Sequence, residues 1–325
     1  MGSQQIFARA DRREVKSQVI YTVTMNPSMD YVMLFKKVAI GELNRSSREM
    51  HLPGGKGINV SIVLKNLGTQ TTCLGFLAGY VGREIRQRME DMGCDTDFIM
   101  LEEGCTRINV KVNEASGRES EMNGSGPRIN EKCLEELEGK LSGLGAGDTL
   151  VLSGNVPGGV PSDIYGRLAA AVQGKGVTLV VDAEKSLLFP ALPYHPFLIK
   201  PNREELSAMV GRKLKTREEI VKGSQQLQQM GACNILVSLG KEGAFFLSDQ
   251  GEELWIDAPR GTVIQTVGSG DSMVAGFLSS QERGWSLCQS ACYAVAAGSA
   301  GAFSECLPKR DKTDQLYQRM RAGEV

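Results

Sequence analysis

Continuous apolar runs alternate with segments of helical spacing along most of the chain. The runs are rich in Val, Ile and Leu, as expected for strands buried on both faces. The segments 162–173 and 216–230 read as helices between them, and the second begins with Thr216 as N-cap and Glu219 three residues later. This rhythm predicts an α/β domain built on a mostly parallel sheet. The predicted strands are Val19–Thr24, Thr72–Phe76, Thr149–Ser153, Val177–Asp182, Phe197–Lys200, Asn234–Ser238 and Phe245–Ser248.

Two stretches, Tyr31–Lys37 and Arg107–Asn123, depart from this rhythm. Both are β-like, and the second contains a turn at Ser116–Gly117. Apolar and polar residues alternate over Arg107–Val112, which indicates a sheet with one solvated face. Strands inserted in this way between βα units predict a small second sheet over the edge of the main one.

The composition excludes several classes of protein. The 325 residues are 41% hydrophobic, and 37 basic residues against 38 acidic ones give a net charge of -1, so no partnership with nucleic acid or anionic membrane is expected. No apolar stretch reaches the roughly 18 residues of a membrane span. Residues 1–17 lack the apolar centre of a signal peptide and are expected to be a flexible extension. Eight cysteines without a C-x-x-C pair fit reduced thiols in the cytoplasm.

The segment Thr266–Phe277 carries the strongest chemical signal. Gly268, Ser269 and Gly270 precede an apolar run with helical spacing. A glycine turn that opens a helix directs backbone N–H groups and the positive end of the helix dipole toward an anion. Asp271 follows at the helix start, where it is either an N-cap or a general base facing a hydroxyl beside the bound phosphate. The segment alone leaves these two interpretations open.

Three further segments are informative only in combination. Gly54, Gly55 and Lys56 lie in a glycine-rich loop that can approach a small polar ligand closely, but for this loop alone a plain turn with a solvated lysine is the better explanation. Asn202 and Glu205 follow a strand end three residues apart, which suits Mg²⁺ bound through water or simply a polar helix start. The segment 238–244 is either a β-turn or a nucleotide-binding edge.

The order of these segments resembles the ribokinase-like, minor-phosphofructokinase-type family of sugar kinases from about Val19 onward. The branch with the best fit contains 1-phosphofructokinase and tagatose-6-phosphate kinase. The matching motifs are N-P-S-x-D, G-G-K-G-x-N, T-R-I-N-V-K, K-P-N-x-x-E, S-L-G-x-x-G and V-G-S-G-D-S.

The resemblance implies a three-layer α/β/α ribokinase-like fold over residues 18–325, with a small β-sheet lid inserted at about 30–50 and 97–125. It implies transfer of the ATP γ-phosphate to a ketohexose monophosphate. The first choice of substrate is fructose 1-phosphate, which would be converted to fructose 1,6-bisphosphate. Tagatose 6-phosphate and fructose 6-phosphate are alternative substrates, and a non-catalytic sugar-phosphate sensor is an alternative of another class. A homodimer formed through the lids is also expected.

The same resemblance implies a role for each matching residue. Asp271 is the implied base, and the implied anion hole is Gly268, Ser269 and Gly270. The implied substrate-binding residues are Asp30, Gly54, Gly55, Lys56, Asn59, Arg107 and Lys111, of which Lys56 and Arg107 would hold the phosphate already on the sugar. The implied ATP-binding residues are Lys200, Ser238, Gly240, Gly243 and Ser299, and Asn202 and Glu205 would hold Mg²⁺ through water. Many relatives have an aspartate, associated with a monovalent cation, at the place of Gln265, so the resemblance leaves the dependence on a monovalent cation open here.

Overall fold

The computed structural model describes residues 18–324, so the predicted extension over residues 1–17 lies outside the described residues. The strands are β1 (Ile20–Thr24), β2 (Ser28–Phe35), β3 (Arg48–Gly54), β4 (Thr71–Ala78), β5 (Asp95–Thr96), β6 (Ile99–Leu101), β7 (Arg107–Glu114), β8 (Glu119–Asn123), β9 (Thr149–Ser153), β10 (Thr178–Asp182), β11 (Leu198–Ile199), β12 (Asn234–Ser238), β13 (Ala244–Leu247) and β14 (Glu253–Ile256). The helices are α1 (Lys56–Asn66), α2 (Gly79–Asp91), α3 (Glu131–Ser142), α4 (Ile164–Val172), α5 (Lys185–Leu188), α6 (Arg203–Val210), α7 (Arg217–Gln229), α8 (Ser269–Glu282), α9 (Leu287–Ala302) and α10 (Arg310–Arg321).

The main sheet of the described region has ten strands in the order β14-β13-β12-β11-β10-β9-β1-β4-β5, with β6 also paired to β4. The pairings from β4 through β1 to β12 are parallel, whereas β12, β13 and β14 are antiparallel. The chain moves from β1 to β4 on one side and later to β9 on the other. Such a reversal of direction opens a crevice at the carboxyl ends of the strands, where ligands bind in open α/β sheets.

Side-chain alternation along the central strands divides the core into two layers. Leu150 and Leu152 of β9 pack with α3 to α7, whereas Val151 packs on the opposite face with α1, α8, α9 and α10. Both faces of the sheet are therefore covered, which explains the continuous apolar strands. The predicted three-layer α/β/α fold is confirmed. In residues 18–324, no helix is long and apolar enough to cross a membrane.

The second sheet has the order β3-β2-β7-β8 and lies beside the crevice. Its two halves come from the two inserted stretches that the sequence predicts, and Gly117 forms the turn between β7 and β8 with a positive φ of 85°. Ile99–Leu101, which the sequence assigns to the second insertion, pairs instead with β4 of the main sheet. The lid strands of that insertion therefore begin at Arg107.

Candidate active site

A cavity of about 1150 Å³ opens at the carboxyl ends of β1, β9, β10, β11 and β12, between the main sheet and the second sheet. Its wall contains every site residue that the sequence predicts except Gly54. These residues come from segments spread between Asp30 and Ser299, so the parallel sheet gathers them by bringing its strand ends to one edge.

Asp271 lies in the first turn of α8 and is only 5% exposed. Its carboxylate makes no N-cap hydrogen bond, because the N-cap residue is Gly268. Instead, Oδ2 accepts a hydrogen bond of 2.7 Å from Nδ2 of Asn59 in α1. Asn59, expected to bind a sugar hydroxyl, therefore also orients the candidate base.

Two lysines flank a buried carboxylate beside Asp271. Oδ1 of Asp182 lies 3.4 Å from Nζ of Lys56 and 3.5 Å from Nζ of Lys200. Asp182 and Lys200 are both almost fully buried. Lys56 also lies 4.0 Å from Oε1 of Glu205. The carboxylate thus holds two ammonium groups at the floor of the cavity.

This cluster sets the protonation of the candidate base. Burial, and then the negative charge of Asp182, raise the pKa of Asp271 to about 6, against the opposing effects of Lys56, Asn59 and Lys200. Burial alone would lower the pKa of Lys56, but Asp182, Asp271 and Glu205 together hold it above its usual value. Burial acts to raise the pKa of Asp182, and the two lysines overcome it and lower that pKa. A carboxylate with a pKa near the working pH is suited to general-base catalysis.

The predicted anion hole lies at the N-terminus of α8. A Cβ added to Gly270 would lie 3.1 Å from Nζ of Lys200, so the ammonium group sits directly beside the helix start. The N–H group of Ser269 donates to the carbonyl of Thr266. The N–H groups of Gly270 and Asp271, the helix dipole and Lys200 therefore combine to favour an anion here.

Unpaired polar atoms are concentrated in this cavity. Of the seven buried side-chain oxygens without a hydrogen-bond partner among residues 18–324, six belong to residues of the cavity wall. They belong to Thr24, Asn26, Asn109, Ser153, Asp182 and Ser269. Buried polar groups in folded proteins are nearly always satisfied, so these atoms indicate a polar ligand or ordered water.

Asp30 of the second sheet is surrounded by donors. Its Oδ1 accepts hydrogen bonds from Ser28 and Asn109, and Oδ2 lies 2.8 Å from Nζ of Lys111. A Cβ at Gly54 would lie 2.6 Å from Oδ1, so glycine at this position makes room for the carboxylate rather than for a ligand. Asp30 and Lys111 therefore face the cavity as a paired unit.

Arg107 and Lys56, predicted together as phosphate holders, have different surroundings. Nε and Nη2 of Arg107 donate to the carbonyl of Asn26, and Nη1 donates to the carbonyl of Gly124. These contacts hold Arg107 on the side of the second sheet, whereas Lys56 lies beside the carboxylates of Asp182 and Glu205. Arg107 has further N–H donors that these contacts leave available to a ligand.

Asn202 and Glu205 form a capping box at the start of α6. Oδ1 of Asn202 accepts from the backbone N–H of Glu205, and Oε2 of Glu205 accepts from the backbone N–H of Asn202. The two residues therefore cap the helix, which is one of the two interpretations that the sequence allows for this motif. Oε1 of Glu205 remains directed toward Lys56 and the cavity.

The predicted nucleotide side lies beyond β12. Ser238 ends this strand, and Gly240 and Gly243 form a tight turn into β13. At Gly243, φ is 91° and an added Cβ would lie 1.9 Å from the carbonyl oxygen of Ile256, so only glycine fits. Ser299 lies on α9, which packs closely on α8, and contributes to the same wall.

Comparison with known proteins identifies the family. Residues 23–305 match the pfkB family of carbohydrate kinases. The chain belongs to the pfkB family of carbohydrate kinases. A 1-phosphofructokinase of Borreliella burgdorferi is 37% identical over 94% of this chain and 99% of its own length. A D-tagatose-1-phosphate kinase of Bacillus licheniformis is 39% identical over 93% of this chain and 99% of its own length.

Solved structures agree with this assignment to the pfkB family. Phosphofructokinase-2 from Escherichia coli, solved in complex with potassium, superposes with a TM-score of 0.88 at 30% identity and covers 94% of this chain and 99% of its own. The same E. coli protein has been solved in a tetrameric inhibited form. This chain is accordingly a sugar-phosphate kinase with ATP as its co-substrate, as the sequence predicts.

Sequence reasoning missed several residues of this pfkB-family site. The sequence predicts Asp182, which holds both lysines, only as the end of a strand, and it gives Ser28 and Asn109 no separate role. A usable signal existed, because Asp182 is a charged residue that ends an apolar strand, as Lys200 does. Polar residues at the carboxyl ends of parallel strands are natural ligand contacts.

Proposed function

We propose that the chain phosphorylates fructose 1-phosphate at carbon 6 and yields fructose 1,6-bisphosphate and ADP. The observation that carries the proposal is Asp271, a buried carboxylate at the start of α8 with a pKa of about 6 and a hydrogen bond from Asn59. The neighbouring Asp182 holds Lys56 and Lys200 beside it. A non-catalytic sensor would have no need of such a base. The names of the relatives favour a ketohexose 1-phosphate, so tagatose 1-phosphate is the second candidate substrate.

The chemistry follows from the arrangement of charges. Asp271 accepts the proton of the sugar hydroxyl, whose oxygen forms a bond to the γ-phosphorus of ATP as the bond between that phosphorus and the bridging oxygen of ADP breaks. The backbone N–H groups at the start of α8, with Lys56 and Lys200, stabilise the negative charge on the transferring group. Lys56 thus acts at the transferring phosphate rather than at the phosphate already on the sugar.

The site fits Mg²⁺ carried largely by the nucleotide. Within residues 18–324, no three acidic, histidine or cysteine side chains are placed to hold a metal ion by themselves. Mg²⁺ in such enzymes commonly uses substrate phosphates, water and one or two carboxylates. Glu205, through its Oε1, and Asn202 would hold the ion through water. When bound, the ion neutralises phosphate charge.

The phosphate already on the sugar fits the lid side of the cavity. The acceptor hydroxyl must lie near Asp271, so the existing phosphate lies at the other end of the ligand. Arg107 is half-buried there with unused donors, and Lys111 lies on the same strand and the same face of the sheet. A planar guanidinium suits a phosphate dianion, and Lys111 is already partly neutralised by Asp30. Arg107 is therefore the main recognition residue for this phosphate.

A substrate comparison tests the proposal. With ATP and Mg²⁺, fructose 1-phosphate is expected to give the highest kcat/KM in an ADP-release assay, followed by tagatose 1-phosphate. Fructose 6-phosphate should react more slowly, although the approximate two-fold symmetry of β-fructofuranose lets it enter the same cavity. Unphosphorylated fructose should be a poor substrate. A higher kcat/KM for fructose 6-phosphate would reverse the assignment of the phosphorylated carbon.

We also propose a cytoplasmic homodimer that pairs the outer faces of the second sheets. Strand register places Tyr31, Val110 and Met122 side by side on the face that points away from the cavity, together with Ile108. Ile108 is 40% and Met122 58% exposed, so this apolar face lacks full cover in one chain. Pairing with a twin would cover both the face and the sheet edges. All eight cysteines are free thiols, which supports a reducing compartment.

Light scattering coupled to gel filtration checks the oligomeric state. The wild type should elute as a dimer, and Met122→Asp combined with Ile108→Asp should shift it to a monomer, because two charges cannot be buried unpaired in an apolar contact. Met230→Asp is the control, since Met230 is 40% exposed but lies on α7's C-cap, away from the lid. A monomeric wild type would contradict the proposed dimer.

A further inference from the structure

The C-terminal end of α9 lies next to the anion hole, and donors of the chain itself occupy its carbonyl oxygens. Such carbonyls have no partner within the helix and carry the negative end of its dipole, so they attract cations and N–H donors. Backbone N–H groups of Ile264 and Gln265 donate to the carbonyl of Ala302. The ammonium of Lys312 donates to the carbonyl of Phe303 and to Oγ of Ser304.

The side chain of Gln265 completes this set. Its Nε2 donates to the carbonyl of Glu305 at 2.8 Å and to that of Ser304 at 3.2 Å. One amide group therefore uses both of its N–H bonds on two successive carbonyls of the loop after α9. Gln265 precedes Gly268, the N-cap of α8, by three residues. The amide thus ties the segment leading into the anion hole to the loop 304–307.

The loop 304–307 packs against the start of α8, and it and the adjacent Pro308 also contact the second sheet and the end of α1. Leu307 packs against Gly268, because a Cβ added to this glycine would lie 2.8 Å from Cδ2 of Leu307. Glu305 pairs with Arg48 of the second sheet at 3.1 Å, and Asn66 at the end of α1 donates to the carbonyl of Pro308. A shift of the loop would therefore move the backbone that forms the anion hole.

We propose that Gln265 is a positioning residue for phosphoryl transfer, whose amide, together with the ammonium of Lys312, occupies the carbonyls after α9 and fixes the anion hole without a dissociable monovalent cation. Neither residue touches the reacting atoms. Both act by holding the loop 304–307 against Gly268. The proposal rests on the proposed kinase reaction, and wild-type ADP release with a ketohexose 1-phosphate is its baseline. If the wild type released no ADP with a ketohexose 1-phosphate, that result would contradict the proposed reaction and not the role of Gln265.

The first test compares salts at equal ionic strength. Because fixed donors already satisfy the carbonyls, wild-type kcat should be the same in potassium chloride and in choline chloride. Gln265→Ala should lower kcat by about 10- to 100-fold with a smaller change in KM for the sugar phosphate, as expected when a reacting geometry is loosened. Strong activation of the wild type by K⁺ would overturn the proposal.

The second test exchanges the amide for an isosteric carboxylate. Gln265→Glu places a negative oxygen opposite the carbonyls of Ser304 and Glu305, and the repulsion should lower kcat in choline chloride. K⁺ should restore part of this activity, because a cation can bridge the three oxygens. A merely structural role would not create a salt requirement. Full activity of Gln265→Glu in choline chloride would therefore refute the proposal, as would a loss that K⁺ leaves unchanged.

Gln228→Ala is the matched control. Nε2 of Gln228 likewise donates to two backbone carbonyls, of Cys233 at 3.1 Å and Ser248 at 2.8 Å, but on the far side of the sheet. This variant should lose a comparable amount of thermal stability while keeping wild-type kcat and salt response. If Gln228→Ala and Gln265→Ala lowered kcat equally, the effect would be one of general stability and the proposal would fail.

Discussion

Asp271→Asn should lower kcat by about 10²- to 10⁴-fold, the typical cost of losing a positioned general base. Asparagine keeps the shape of the side chain and can still accept the hydrogen bond from Asn59, but it cannot take a proton from the sugar hydroxyl. The KM values for ATP and the sugar phosphate should change little. Asp163→Asn is the control, because Asp163 precedes α4 without a side-chain cap bond and is exposed. Steady-state kinetics on both variants decide the point, and near-normal kcat in Asp271→Asn would remove this residue from the role of base.

The pH profile gives an independent view of the same residue. Burial and the charge of Asp182 raise the pKa of Asp271 to about 6, and the base is active only when deprotonated. The value of kcat/KM should therefore be level above this pH and fall about tenfold per unit below it. If kcat/KM stays level down to the usual pKa of an aspartate side chain, another group accepts the proton.

Lys56→Met and Arg107→Ala should affect different kinetic constants, because Lys56 contacts Asp182 and Glu205 whereas Arg107 contacts the carbonyls of Asn26 and Gly124. Lys56 lies with Asp182 and Glu205 beside the base, so its loss should lower kcat by about 10²- to 10³-fold, as for other removed transition-state donors. Arg107 lies on the lid side, so its loss should mainly raise KM for the sugar phosphate. Charge-assisted hydrogen bonds contribute about 1.5–3 kcal/mol, which corresponds to about a 10- to 150-fold change.

Three further readouts sharpen this comparison. The positive charge of Lys56 lowers the pKa of Asp271, so Lys56→Met should move the acid limb of the pH profile to higher pH. Arg107→Ala should narrow the difference in kcat/KM between fructose 1-phosphate and unphosphorylated fructose, and KM for ATP should not change. Lys65→Met on the same helix and Arg118→Ala on the lid turn are exposed controls. A rise in sugar KM with unchanged kcat in Lys56→Met would return Lys56 to the original expectation of a sugar-phosphate ligand.

Local patterns were sufficient to predict much of the fold. β9 and β12 have the bounds that their apolar runs predict, and the capping box of Thr216 and Glu219 opens α7 as expected. These elements depend on residues close together in the chain, since burial on both faces and helix capping leave a signature within a few positions. The glycine turn before Asp271 likewise depends only on neighbouring residues, so the sequence also predicts it.

The short strands show where local patterns were insufficient. β6, with three residues, pairs with β4 although the sequence places it in the lid insertion. A strand this short has too few residues to show a period. Which sheet such a strand joins depends on which neighbouring strand has unpaired backbone N–H and C=O groups, here β4.

The sequence by itself determined the central apolar strands, two of the helices, the α/β class and a set of polar residues that end up in one cavity. Only the tertiary structure decided what these residues do to one another. Asn59 and Asp271 are 212 residues apart, yet they share a hydrogen bond, and Asp182 joins Lys56 to Lys200. The pKa of Asp271 and the division of labour between Lys56 and Arg107 depend on distances across the sheet. Such distances are set by strand order and helix packing, which periodicity along the chain does not encode.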